Sequence, residues 1–140
     1  MLAKAVTNPA SDRRPTICVV AGEASGDAHC ALLVNALREL YPQAVFFGMG
    51  GRKLAEAGVE LIVNSEHSAA VMGFTEIVGS LTRIVRSFKA LEEACRSRSP
   101  DLVILVDFPD FNLRLAKRVK SSSTKVLYFI SPQLWAWRSG

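Results

Sequence analysis

Two carboxylates and an amide follow an apolar run in the segment "DLVILVDFPDFN", residues 101–112. Asp107 stands where the run ends, and Asp110 and Asn112 follow within five residues. A buried ionised acid is costly unless it is paired or put to use. A partly desolvated carboxylate at a strand tip suits a general base, because desolvation raises its pKa toward the working pH. We therefore predict that Asp107 is catalytic, and that Asp110 or Asn112 caps the following helix.

A second cluster, "AGEASGD" at residues 21–27, has the pattern of a strand-to-helix turn. Its candidate ligand-binding residues are Gly22, Glu23, Ser25, Gly26 and Asp27. The glycines allow a ligand to approach the backbone, and the glutamate suits a sugar hydroxyl. The serine or the second acid can instead simply cap the helix, whose N-terminus would attract an anion. Neither G-x-G-x-x-G nor a P-loop is present. The turn "GMGG", residues 48–51, fits a phosphate, a sugar or a plain turn equally well.

An alternation of strands and helices must position these clusters. The pattern predicts strands over 16–22, 44–51, 59–63, 101–108 and 125–130, and helices over 27–40, 52–58, about 72–98 and 111–121. Pro109 should end the fourth strand and keep Phe108 extended. Continuous apolar strands between helices predict an α/β, Rossmann-like, three-layer domain with a parallel β-sheet. Such sheets bind ligands at the carboxyl ends of their strands, so the polar loops should converge on one crevice.

The long helical pattern between residues 69 and 93 carries an apolar stripe, with cations elsewhere around the helix. The plain interpretation is a helix packed on the sheet. The alternative is that part of the stripe docks acyl chains at a membrane surface. The residues assigned to that contact are Phe74, Ile77, Val78 and Leu81.

Composition limits the possible classes of protein. The chain has 140 residues, is 49% hydrophobic and carries a net charge of +4, which suits one folded domain with an anionic ligand or lipid surface. Scattered cations without a recognition motif predict no nucleic acid. Three cysteines without a CxxC pair indicate a reducing compartment and no structural zinc. Residues 1–15 are polar and predicted disordered, with no secretory signal, and the protein is expected to be cytoplasmic.

Five segments together resemble the lipid-A-disaccharide synthase family. They are "VAGEASGDAH" (20–29), "FFGMGG" (46–51), "AVMGFTEI" (70–77), "DFPDFNLRLAK" (107–117) and "ISPQLWAWR" (130–138). The resemblance implies a GT-B glycosyltransferase whose N-terminal half, residues 16–140 here, shapes the acceptor site, with the C-terminal nucleotide-binding domain absent from this chain. It adds Met72, Gly73, Ser131 and Trp135 to the substrate-binding candidates.

The implied reaction joins UDP-2,3-diacylglucosamine to 2,3-diacylglucosamine 1-phosphate (lipid X), giving lipid A disaccharide and UDP with inversion. Asp107 would take the acceptor's proton, with Asp110 and Asn112 orienting it or the acceptor. No metal or other cofactor is expected. The resemblance also implies that the protein lies peripherally on the inner face of the bacterial inner membrane. Alone, the chain is expected to be inactive and prone to self-association through exposed apolar surface.

The sequence leaves two alternatives open. The first is a non-catalytic module that only binds acyl-sugar phosphate or membrane. The second is a metal-dependent phosphohydrolase built from Glu23, Asp27, His29, Asp107 and Asp110, since carboxylates and histidine suit a divalent ion.

Overall fold

The structure is a computed structural model that describes residues 14–66 and 77–129. Its strands are β1 (Thr16–Ala21), β2 (Val45–Gly50), β3 (Glu60–Asn64), β4 (Leu102–Val106) and β5 (Lys125–Phe129). Its helices are α1 (Ala24–Leu40), α2 (Arg52–Glu56), α3 (Ile77–Arg98) and α4 (Pro109–Val119). Strand and helix therefore alternate as the sequence predicts.

All neighbouring strands pair in parallel, in the order β3-β2-β1-β4-β5. The predicted parallel α/β sheet is confirmed. The chain builds the sheet outward from β1 to β3, then crosses back to add β4 on the other side of β1. Ligand crevices of open α/β sheets form where the direction reverses, outside the carboxyl ends of the strands. Here that point lies between β1 and β4.

Each face of the sheet has its own hydrophobic core. Val19 and Ala21 of β1 lie on the face covered by α1, together with Ile104 and Val106 of β4. Cys18 and Val20 lie on the opposite face, against residues of α3 and α4. Because successive side chains of a strand alternate between faces, burial on both faces requires an unbroken apolar run. The result is the predicted three-layer arrangement.

Two helices begin earlier than the sequence predicts, and the predicted caps are wrong. Helix α1 begins at Ala24, so Ser25 and Asp27 lie within it, and its N-cap residue Glu23 makes no side-chain cap. Helix α4 begins at Pro109, which places Asp110 and Asn112 inside its first turns. Proline suits the first helical position because its missing N–H is not needed there.

Several predictions fall outside the described residues. They concern residues 1–13 of the predicted disordered segment and the candidates Met72, Gly73, Phe74, Ser131 and Trp135. Ile77 and Val78 open α3, but their side chains are likewise outside the described part. Within the described part, no helix is both long enough and apolar enough to cross a bilayer.

Candidate active site

At the carboxyl ends of β1 and β4, one aromatic ring connects the two loops that follow these strands. Phe108 follows β4 and lies over Gly22, which follows β1; a β-carbon on Gly22 would stand 2.6 Å from the ring. The same ring stacks on Phe111 of α4, with centroids 5.0 Å apart. Only glycine leaves room for this contact between the two loops.

The turn after β4 is held in an unusual backbone conformation. Asp107 and Phe108 both have left-handed geometry, with φ of 49° and 48°. The predicted extended conformation of Phe108 is therefore wrong. The left-handed region costs L-residues about 1–3 kcal/mol and persists only where surrounding contacts hold it. Here the packing of the Phe108 ring against Gly22 and Phe111 supplies contacts that a local sequence rule does not see.

Backbone groups of Asp107 are held from two sides. Its N–H donates to the carbonyl of Phe129 at 3.0 Å. Its carbonyl accepts from Nδ2 of Asn112 at 2.8 Å and from the hydroxyl of Tyr128 at 3.1 Å. Asn112 is fully buried and also donates to the carbonyl of Val106 at 3.3 Å. Asn112 thus contacts the backbone of Asp107, and its role in orienting Asp107 or the acceptor stays a prediction.

Tyr128 is the residue that the sequence reasoning missed. It lies on β5 opposite Leu105 of β4, on the same face as α4. Burial raises the pKa of Tyr128, and the negative charges of Asp107 and Asp110 raise it further. Its position as the one polar side chain near the carboxyl end of an apolar strand was a usable signal, because that end faces the predicted crevice.

Asp27 holds the neighbouring turn. It is 3% exposed, and its Oδ1 accepts from the N–H groups of Gly51 at 2.7 Å and Leu54 at 3.2 Å. Its Oδ2 accepts from the N–H of Lys53 at 3.0 Å. Asp27 therefore caps α2, not its own helix, and both oxygens are engaged. Its predicted contact with a ligand stays a prediction.

A second carboxylate completes the cap of α2. Glu66 accepts from the N–H of Arg52 at 2.9 Å. The N–H groups of residues 51–54 that face the "GMGG" turn are thus taken by the protein's own acids. Of the three interpretations of this glycine segment, the structure favours the plain turn over a phosphate cradle.

The other candidates differ in exposure. Glu23, Ser25 and Asp110 are exposed beside the crevice. Gly26 is buried, and a β-carbon there would stand 3.1 Å from Cγ1 of Val106. Three candidates are therefore open to a ligand, and the glycine serves the packing of α1 on β4.

A groove of about 870 Å³ between α3 and α4 begins beside the crevice, at Phe108 and Asp110. Its apolar wall includes Leu81, Ile84 and Val85, which are 59%, 43% and 52% exposed. Its cations are Lys89, Arg114, Lys117 and Arg118. The sequence predicted the apolar stripe of α3, and α4 adds Arg114, Lys117 and Arg118 to the wall opposite it.

No group of three or more histidine, cysteine, aspartate or glutamate residues is arranged to hold a metal ion within residues 14–66 and 77–129. Among the five residues of the phosphohydrolase alternative, Asp27 already holds the α2 turn. The described residues thus lack the ligand cluster that this alternative needs.

A parallel sheet that reverses direction between β1 and β4, with acids and Phe108 in the loops at that point, defines a Rossmann-like α/β domain. The family model described as lipid-A-disaccharide synthetase matches residues 17–140. The chain belongs to that family, as the resemblance in the sequence predicts.

Individual relatives agree with this assignment. A lipid-A-disaccharide synthase of Myxococcus xanthus is 53% identical over 96% of this chain and 34% of its own length. That of Acidobacterium capsulatum is 51% identical over 89% of this chain and 31% of its own length. The chain thus spans about a third of the length of these relatives. Among solved structures, the calicheamicin glycosyltransferase CalG4 aligns over 91% of this chain and 37% of its own, with a TM-score of 0.48 and 19% identity.

Proposed function

We propose that the protein serves lipid A biosynthesis by transferring diacylglucosamine from its UDP donor to lipid X, releasing UDP. Membership of the lipid-A-disaccharide synthase family supports this reaction. The single observation that carries the mechanism is the placement of Asp107. It stands half-buried at the carboxyl end of β4, beside the central strand β1, where the sheet reverses direction.

The proposed glycosyl transfer needs one general base. In the proposed step, the Asp107 carboxylate takes the proton from the 6-hydroxyl of the acceptor. The acceptor oxygen bonds to the anomeric carbon as the bond from that carbon to UDP breaks. A single displacement inverts the anomeric configuration, which is the stereochemistry that an α-linked donor and a β-linked product require. Fixing the base on a clamped turn favours this step, because its geometry is set before the substrates arrive.

The groove between α3 and α4 is the proposed place for the acceptor's acyl chains. Its apolar wall suits hydrocarbon, while Lys89, Arg114 and Lys117 suit a sugar phosphate. It starts at Phe108 and Asp110, one and three residues after the proposed base. An acceptor lying there would bring its sugar to Asp107.

The test of the base is Asp107→Asn in a complete synthase carrying these 140 residues. We expect disaccharide formation to fall by about 10²-fold or more, since general-base catalysis contributes about 10²–10⁴-fold. Asp101→Asn is the matched control. Asp101 accepts from the N–H of Thr16 at 2.9 Å, just before the start of β4. Because this is the opposite end of the strand from Asp107, the change should leave turnover unaltered. Near-normal turnover of a folded Asp107→Asn enzyme would exclude the assignment.

The remaining two thirds of the relatives' length is the proposed place for most of the UDP site, in the manner of a two-domain GT-B enzyme. The 140-residue chain is then expected to bind lipid X, to bind UDP-sugar poorly and to lack turnover. Titration with each compound tests this division. Tight UDP-sugar binding by the chain alone would contradict it. Lipid binding by a complete synthase that never forms disaccharide would favour the non-catalytic module.

Peripheral attachment to the inner face of the inner membrane is proposed on the exposure of α3. Leu81, Ile84 and Val85 present apolar surface near a set of cations, a pattern that suits an anionic bilayer. Vesicles of phosphatidylglycerol and phosphatidylethanolamine provide the assay. Leu81→Ser with Ile84→Ser should lower the bound fraction severalfold. Leu32→Ser on α1, which removes a side chain that is 69% exposed, is the control. An equal loss in the control would contradict a specific surface.

A further inference from the structure

The carbonyl of Asp107 receives two side-chain donors, one from each neighbouring element. Nδ2 of Asn112, from α4, lies at 2.8 Å, and the hydroxyl of Tyr128, from β5, lies at 3.1 Å. This carbonyl belongs to the peptide group between two left-handed residues. Backbone strain of this kind persists only where surrounding contacts hold it. We therefore expect the two donors to stabilise the left-handed conformation of Asp107 and Phe108.

Strand β5 contacts residue 107 through both backbone groups. The carbonyl of Phe129 accepts from the N–H of Asp107, and the adjacent Tyr128 donates to its carbonyl. Loss of the tyrosine hydroxyl would leave the Asp107 backbone tied to β5 at its N–H only, while Asn112 would remain on the other side.

The hydroxyl is kept in its donating form. Burial raises the pKa of Tyr128, and the charges of Asp107 and Asp110 add to the effect. A neutral tyrosine donates one hydrogen bond, whereas a tyrosinate only accepts. The carboxylates of the crevice thus favour the protonation state that supports the turn carrying one of them.

We propose that Tyr128 is a positioning residue for the base, and that its hydroxyl acts on catalysis only through the backbone of Asp107. This inference rests on the proposed function, in which Asp107 removes the acceptor's proton. It assigns no contact between Tyr128 and the substrates.

The first test is Tyr128→Phe in a complete synthase carrying these residues. We expect kcat to fall by about 10–100-fold with KM little changed, because a small displacement of a catalytic group can cost about 10²-fold. Tyr41→Phe is the matched control. Tyr41 packs beside the core on the α1 side of the sheet, away from Asp107, so loss of its hydroxyl should leave kcat unaltered. A rise in KM at constant kcat would overturn the inference.

A double-mutant cycle separates the inference from the proposed function. If Tyr128 acts through Asp107, Tyr128→Phe should add no further loss to Asp107→Asn. The same fold-loss in both backgrounds would overturn the inference and leave Asp107 as the base. Full activity of Asp107→Asn would instead overturn the proposed function.

A third measurement keeps the fold intact. A fluorinated tyrosine at position 128 has the shape of tyrosine, but its hydroxyl ionises at lower pH. The alkaline limb of the plot of kcat against pH should then move to lower pH, because the hydroxyl at position 128 loses its proton at a lower pH. The same replacement at Tyr41 should leave the profile in place. An unmoved limb with the replacement at position 128 would overturn the inference.

Discussion

The ring of Phe108 occupies the space in which a β-carbon on Gly22 would stand, 2.6 Å from its Cδ2 atom. The two residues belong to the loops after β1 and β4, which the sheet places side by side. Their contact connects the turn that holds Asp107 to the start of α1.

Gly22→Ala should therefore disturb the turn of the proposed base. The added methyl group must displace a ring that is also stacked on Phe111, so we expect a loss of about 1–3 kcal/mol in the free energy of unfolding. Urea unfolding measures the loss, and disaccharide formation should fall with it. The double variant Gly22→Ala/Phe108→Ala removes the clash. If it shows the sum of the two single losses, the contact is not the cause.

Asp27→Asn should destabilise the β2–α2 turn. The amide that replaces one oxygen cannot accept from a backbone N–H, and bonds to charged acceptors contribute about 1.5–3 kcal/mol each. We expect a loss of about 2 kcal/mol by urea unfolding. Glu66→Gln is the control, because it removes charge from an exposed acid that caps the same helix through one bond. It should cost less than about 1 kcal/mol. Equal losses would contradict the special role of the buried acid.

The pKa of Tyr128, measured by alkaline titration, should depend on the negative charge of Asp107. Its pKa is raised in the folded protein, so the stability it contributes is complete below the ordinary tyrosine pKa. That stability is lost as pH rises through the raised value. Asp107→Asn removes one of the charges responsible and should lower the pKa of Tyr128. Tyrosinate absorbance measures the shift, with Tyr41→Phe identifying the signal. An unchanged titration in Asp107→Asn would show that the carboxylate does not act on the hydroxyl.

The three cysteines should differ in reactivity. Burial, with a contribution from Asp27, raises the pKa of the Cys30 thiol to about 12. A hydrogen bond from Cys18 lowers the pKa of Cys95, which lines a surface cavity of about 230 Å³. Because the thiolate is the nucleophile, iodoacetamide at pH 8 should modify Cys95 first. Peptide mass spectrometry gives the order, and urea-unfolded protein, in which all three should react alike, is the control. Earlier modification of Cys30 would contradict this order.

The elements were predictable because their signals are local. Unbroken apolar runs mark the strands of a sheet buried on both faces, and the position of Asp107 follows from where one such run ends. The conformations and caps of the turns were not predictable, because they depend on residues that are distant in the sequence. Phe108 takes its left-handed conformation beside Gly22, 86 positions away, and Asp27 caps a helix that begins 25 positions later. The role of Tyr128 was missed for the same reason, since its partner Asp107 lies 21 positions away, in the turn after β4.

The three hydrogen bonds of Asp27 span 24, 26 and 27 positions, so all of them need α1 to be in contact with the β2–α2 turn. We expect this acid to act late on the folding route, after the rate-limiting barrier. Asp27→Asn should then hasten unfolding while leaving the refolding rate almost unchanged, the behaviour of a contact absent from the transition state. The two arms of a chevron plot would show whether this carboxylate slows the opening of the β2–α2 turn or helps to nucleate it.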